Sequence, residues 1–282
     1  MRKKQEKVSR EIGLEISAIC GEYFFKLRHL HYGYWPADLE IDIANLQAAQ
    51  EHYTKLLISH IPDDVKTILD VGCGLGQTAK SLLESGYRVD CVSPSHFLTE
   101  RIHALLGNTS HIFECPYEQL ETEYRYDMVL FSESFQYVVL QGSLEKSLRL
   151  LNDDGYLLIC DIFRKDVEGK MSMSGGHYLT KFYELIAKSS FRKIKDLDIT
   201  EQTAPSIDLL NDIMKNVVQP VVNASVRFFE SRYPLTLKLL RWKYKRKLLN
   251  IHRKYFEGGR TGENFKKFKS YRLLLYRKHS NK

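Results

Sequence analysis

No stretch of this 282-residue chain is apolar for long enough to span a bilayer, so no membrane-crossing helix is predicted. The opening MRKKQEKVSREIGLEIS is interrupted by charge wherever a secretion signal needs its apolar segment, and a cytoplasmic protein is expected. Cysteine is sparse: Cys20, Cys73, Cys91, Cys115 and Cys160 are odd in number and lack CxxC spacing. They are expected as reduced thiols, mostly buried, with no disulfide and no bound metal. Internal repeats and low-complexity stretches are also missing. Acid is scarce in one region only. Residues 226–282 hold 18 Lys or Arg against Glu230, Glu257 and Glu263, a net +15, although the whole chain carries only +7, so residues 1–225 carry −8.

Apolar residues make up 43% of the chain, enough for a sizeable core. Helical patterns at about 10–28 and 41–60 flank the aromatic loop LHYGYWPAD. Strand patterns follow at 67–72, 87–92, 111–115, 126–132 and 156–163, alternating with helices near 76–85, 96–106, 142–151 and 178–189. Such alternation with short connections predicts a parallel sheet covered by helices on both faces. FRKIKDLDIT (191–200) supplies a sixth strand, and KSYRLLLYRK (269–278) a last one after a mainly helical insertion of about 65 residues.

The first strand ends in ILDVGCGLG (68–76), with glycines at 72, 74 and 76 where strand gives way to helix. Glycine there permits positive φ and close approach of a ligand to the backbone, beside the unpaired N–H groups of a helix start. The spacing is GxGxG after an aspartate, rather than the GxGxxG of dinucleotide sites. DxGxGxG after the first strand resembles motif I of the class I S-adenosylmethionine (SAM) dependent methyltransferases, and the order of strands continues the resemblance through most of the chain. It implies a Rossmann-like, seven-stranded, mostly parallel sheet and SAM as cofactor. Residues 1–62 would be an N-terminal helical cover, 63–200 the cofactor-binding core, 201–268 a helical lid and 269–282 the final strand and tail.

In that family the motif acid lies close to the methionine ammonium and the glycine loop packs on the cofactor, which assigns Asp70, Gly72, Cys73, Gly74 and Gly76 to binding. Most members end the second strand with an acid that accepts both ribose hydroxyls; here VDCVSPS (89–95) places Ser93, followed by Pro94, at that point. This is similar to the lipid and isoprenoid branch, which includes cyclopropane fatty acid synthases and tocopherol and sterol C-methyltransferases. Pro116 and Tyr117 stand where an acid near the adenine is usual. SESFQYV (132–138) resembles the ESGEH-type segment of the tocopherol-methyltransferase-like enzymes, bringing in Ser132 and Glu133, but Gln136 and Tyr137 replace its Glu and His. HYGYW (31–35) resembles a stretch whose aromatics, here Tyr32, Tyr34 and Trp35, close over the methionine end of SAM.

An oxygen or carbon acceptor that must give up a proton calls for a base, whereas a neutral amine does not, and His31, Glu133 and His177 are the titratable candidates near these segments, with His31 and Glu133 preferred. The reading is a methyltransferase for a small, apolar or lipid-like acceptor. Its alternatives are a SAM-binding protein without transferase activity and an RNA methyltransferase recruited by the basic segment. Within LTLKLLRWKYKRKLLNIHRKYF, Leu237, Leu240, Tyr244, Leu248, Ile251 and Tyr255 follow helical spacing among dense cations. Either this helix packs on the core with a solvated basic face, or it meets an anionic membrane surface, an acidic acyl-carrier protein or a phosphate-bearing substrate. Nucleic acid is the poorer fit, since no recognition module is present.

Overall fold

The computed structural model describes residues 2–169, 173, 175–256 and 259–279, and the side chains of residues 2–10, 254 and 255 fall outside that description. Tyr255 of the apolar stripe is therefore placed by its backbone alone. Helix α1 (Arg2–Phe25) is followed by the HYGYW loop and α2 (Leu46–Ile58). The second helix starts later than the sequence pattern predicts because the Asp42 side chain accepts the Ala44 N–H and first holds a tight 3-10 turn at Ile43–Asn45. The core then runs β1 (Thr67–Val71), α3 (Gln77–Glu84), β2 (Arg88–Val92), α4 (His96–Leu106), β3 (Ile112–Phe113), β4 (Tyr126–Ser132), α5 (Leu140–Leu150), β5 (Leu151–Arg164), α6 (Leu179–Ala187) and β6 (Phe191–Asp198). After it come α7 (Thr200–Ile213), α8 (Gln219–Arg232), α9 (Pro234–Tyr255), α10 (Gly262–Phe268) and β7 (Lys269–Lys278).

Among the described residues the strands form one seven-stranded sheet in the order β3-β2-β1-β4-β5-β7-β6. The first five are parallel, and β7 runs antiparallel to both β5 and β6, so the mostly parallel sheet expected from the sequence is present. Side chains alternate across it. Met128, Leu130, Leu158 and Leu273 face a layer built from α2, α3, α4, α7 and α10, whereas Val129, Phe131, Leu157 and Leu274 face α5 and α6. Strand β6 stops at Asp198 because its carboxylate accepts the backbone N–H of Thr200 at 3.0 Å and turns the chain into α7.

Within the insertion, α7 and α10 bury Ile207 and Phe265 against the sheet, and the Gly262 N–H donates to Asp208 at 2.8 Å to join them. Helices α8 and α9 have no buried residue among those described. The basic helix is thus not packed on the core, one of the two readings the sequence left open.

Candidate functional site

The carboxyl ends of β1, β2 and β4 open into a cavity of about 450 Å³, within the range of small-molecule sites. Parallel topology forces this placement, because each strand delivers its following loop to the same edge of the sheet. The floor comes from Asp70–Leu75, Val92–Ser95 and Ser132–Ser134, and the cover from Glu11 and Leu14 of α1 with Arg28–His31. Helix α1 is held there by Ser95, whose hydroxyl donates to Glu11 at 2.5 Å, and by an Arg101–Glu22 ion pair at 2.7 Å. Among the described residues, the insertion at 201–268, expected as a lid, contributes none to the lining, which the segment around α1 covers instead.

Asp70 lies in β1 with both carboxylate oxygens buried and without a hydrogen-bond partner in the protein. Burial pushes its acid up to about 7. An unpartnered buried carboxylate is costly in a folded chain, and it fits a ligand that carries an ammonium. The three motif glycines all have positive φ, at 75°, 57° and 82° for Gly72, Gly74 and Gly76. Their surroundings differ. A Cβ on Gly72 would stand 2.4 Å from that of Ser134, one on Gly76 would crowd Ile102 and Leu105, but one on Gly74 would meet nothing nearer than Leu30 at 3.9 Å. Gly74 therefore presents bare backbone to the cavity, whereas Gly72 and Gly76 admit neighbouring protein, and Gly76 is outside the lining.

Ser93 is buried at the cavity wall, its hydroxyl accepting the Ser95 N–H at 3.3 Å. Cys73 points its thiol at the Val92 carbonyl, and Pro94, Pro116 and Tyr117 also line the space. The Tyr117 hydroxyl is shared with Ser147 at 2.9 Å, so its ring rather than its polar tip serves the cavity.

Glu133 follows β4 in a left-handed conformation with φ 54°, a strained backbone for a residue with a side chain. Its Oε1 accepts the Tyr32 N–H at 2.7 Å and the Tyr271 hydroxyl at 2.6 Å, and neither bond uses Oε2. Burial, with the nearby Asp161 adding to it, pushes the acid up to about 8 against these two bonds. Ser132 beside it shares a hydrogen bond with the Tyr53 hydroxyl at 3.0 Å. His31 packs against Tyr53 with ring centres 4.2 Å apart and the rings tilted by 34°, and its Nδ1 lies 2.8 Å from the Tyr32 carbonyl. A carbonyl accepts only, so Nδ1 carries the proton and Nε2, 3.5 Å from the Thr54 hydroxyl, is the basic nitrogen. Burial holds His31 well below the ordinary histidine range, hence neutral.

Other residues singled out from the sequence lie elsewhere. His177 has its Nε2 3.0 Å from the Phe135 carbonyl and is not in the lining. Tyr32, Tyr34 and Trp35 are outside it too. They staple the loop: the Tyr34 N–H donates to Ala49 at 2.8 Å, and Ser206 accepts both the Trp35 indole N–H at 2.9 Å and the Gly33 N–H at 3.1 Å. Gln136, replacing the family's acid, donates its backbone and side-chain N–H groups to Asp161 at 2.9 and 3.1 Å. Tyr271 and Tyr53 carry no signal in the sequence, where each reads as an ordinary apolar position of a strand or helix.

A family model described as a methyltransferase domain matches residues 46–204. The chain is 25% identical over 119 residues to a ubiquinone biosynthesis O-methyltransferase of Bradyrhizobium diazoefficiens, covering 41% of this chain and 47% of that one. It is 26% identical over 208 residues to methyltransferase GfsG of Streptomyces halstedii, covering 63% and 71%. Aligned regions thus span from about half to about two thirds of these curated relatives. Geranyl diphosphate C-methyltransferase from Streptomyces coelicolor A3(2) shares the fold with a TM-score of 0.64 at 16% identity, over 93% of this chain and 91% of that one. The [4+2]-cyclase SpnF shares it with a TM-score of 0.66 at 15% identity, over 96% and 97%. On the family match, with sheet order and glycine loop in agreement, the chain belongs to the methyltransferase domain family and has the class I SAM-dependent methyltransferase fold.

Proposed function

We propose that the protein transfers the methyl group of SAM to a small, apolar or lipid-like acceptor, by way of a proton removed at Glu133. The observation that carries this reading is one cavity lined both by an unpartnered buried carboxylate with a bare glycine and by a second, high-pKa carboxylate. Bound there, SAM supplies a methyl group on a sulfonium, already activated for displacement. Asp70 holds the ammonium, Gly74 admits the amino-acid portion to the backbone, and Ser93 offers a hydroxyl to the ribose. Leu14, Leu30, Leu98 and Val138 keep water from the acceptor. Glu133, in its deprotonated form, takes the proton from an acceptor oxygen or carbon. The relatives named for ubiquinone biosynthesis and for geranyl diphosphate support a small-molecule acceptor. Incubation with methyl-labelled SAM and a cell extract is expected to place label in the organic-soluble fraction; label confined to RNA, or none, would overturn the reading.

Two binding predictions follow from the cofactor end. Asp70 must lose its proton to meet an ammonium, and its acid sits at about 7. Affinity for S-adenosylhomocysteine is therefore expected to rise by up to about tenfold per pH unit below 7 and to level above it. His29, held down at about 4, and His31 stay neutral over that window and add no slope. Asp70→Asn should flatten the dependence and weaken binding at pH 8, on the order of tenfold or more for a lost charged hydrogen bond. Calorimetry across pH checks both; a sloped profile in the variant would assign the titration elsewhere. Ser93→Ala is expected to weaken binding about fivefold, the worth of one neutral hydrogen bond of ~1 kcal/mol. No loss would mean that backbone alone holds the ribose.

A further inference from the structure

Helices α8 and α9, joined through Tyr233 alone, have no buried residue among those described, although α9 is 22 residues long. A soluble helix usually buries one apolar stripe; this one leaves apolar residues on the surface. Leu235, Leu239, Trp242 and Leu249 recur at helical spacing along one face of α9, with Leu235 81% and Trp242 77% exposed. Arg246 and Arg253 interrupt the same face, and Lys238, Lys243 and Lys245 flank it. Residues 219–255 hold ten Lys or Arg and a single acid, Glu230, which pairs with Arg241. No acid among the described residues pairs with Lys243, Lys245, Arg246 or Lys247.

We infer that α9 docks the protein on the surface of an anionic bilayer, with Leu235, Leu239 and Trp242 seated at the level of the acyl chains and the cations among the headgroups. An apolar stripe bordered by long cationic side chains on both sides is the pattern of an interfacial helix, because the aliphatic stems reach along the apolar surface and lift their charges to the phosphates. A second copy of the chain is disfavoured, since two faces of net +9 would repel. An acidic carrier protein would engage the charges but leave Leu235 and Trp242 in water. This inference is independent of the methyl-transfer reading, because no described cavity residue comes from α8 or α9.

The test is cosedimentation of the full chain with phosphatidylcholine vesicles, with and without phosphatidylglycerol, together with Trp fluorescence. Binding is expected only with phosphatidylglycerol and is released by salt, since the Debye length is about 8 Å at physiological ionic strength. Trp35 is already buried, so a blue shift on binding reports Trp242. Replacing Lys243, Lys245, Arg246 and Lys247 together with Gln should weaken binding at least about a hundredfold, at roughly 1 kcal/mol per cation. Leu235→Ser with Trp242→Ser should weaken it about tenfold or more. S-adenosylhomocysteine affinity should be unchanged in both variants and confirms that they fold. Equal vesicle binding by wild type and the four-Gln variant would overturn the inference. So would capture by an acidic acyl-carrier protein without vesicle binding, or vesicle binding with unshifted fluorescence.

Discussion

Gly74→Val is expected to abolish S-adenosylhomocysteine binding, by roughly a hundredfold or more (~3 kcal/mol or more), in a protein that still folds. The protein itself has room for the added atoms, because a Cβ at this position lies 3.9 Å from its nearest neighbour, Leu30. What it lacks is room for side chain and ligand together, since Gly74 lines the cavity. A second penalty comes from the backbone. Its φ of 57° is one that β-branched residues rarely adopt, at about 1–3 kcal/mol, so a melting temperature lower by several degrees is expected. Gly74→Ala separates the contributions: it keeps most of the strain and removes most of the bulk, and should lose less affinity. Gly72→Ala should behave in the opposite way, because its Cβ would collide with Ser134 and damage the fold itself. Calorimetry and a thermal melt on the three variants measure this. Undiminished affinity in Gly74→Val would remove the glycine loop from the site.

The difference between those glycines shows where sequence reading stops. Spacing after a strand identified all three, and Asp70 with them, because local geometry at a strand end dictates residue type. It could not say which glycine faces ligand and which faces protein. The sheet is legible for the same local reason: continuous apolar runs in β1, β4 and β5, separated by helices and short connections, leave few topologies. Contacts between distant segments are not. Tyr271 reaches Glu133 across 138 residues of chain, and nothing in YRLLLYRK separates that tyrosine from an ordinary core residue. The HYGYW loop carries aromatics that suggest a ligand cover, yet the N–H groups of Gly33, Tyr34 and Trp35 and the indole are committed to Ala49, Gln202 and Ser206, and only the Tyr32 N–H reaches Glu133. A helical period likewise reveals an apolar stripe without revealing whether anything covers it, as α9 shows.

Glu133→Gln is expected to reduce kcat/KM by about 10²–10⁴-fold, the usual contribution of a general base, while S-adenosylhomocysteine affinity changes by no more than a few-fold. The amide keeps the size of the acid, and its oxygen can still accept from Tyr32 and Tyr271, so the strained turn after β4 is preserved. Only proton removal is lost. The pH profile makes the assignment specific. The acid lies at about 8, so with SAM saturating at every pH, which removes the Asp70 contribution, kcat/KM for the acceptor in the wild type should climb about tenfold per pH unit below 8 and level above it. The variant should show no such limb. Tyr271→Phe gives a third reading with a definite sign. The tyrosine hydroxyl stabilises the charged carboxylate; without it the acid moves higher still, and the rising limb should shift to higher pH with the plateau rate largely retained. A purely structural role for Glu133 predicts none of this: Gln would then sustain near-normal turnover with the same limb, and Tyr271→Phe would lower stability without displacing the profile. Near-normal turnover in Glu133→Gln would return the role to His31, the other base preferred from the sequence, whose Nε2 lies 3.5 Å from the Thr54 hydroxyl.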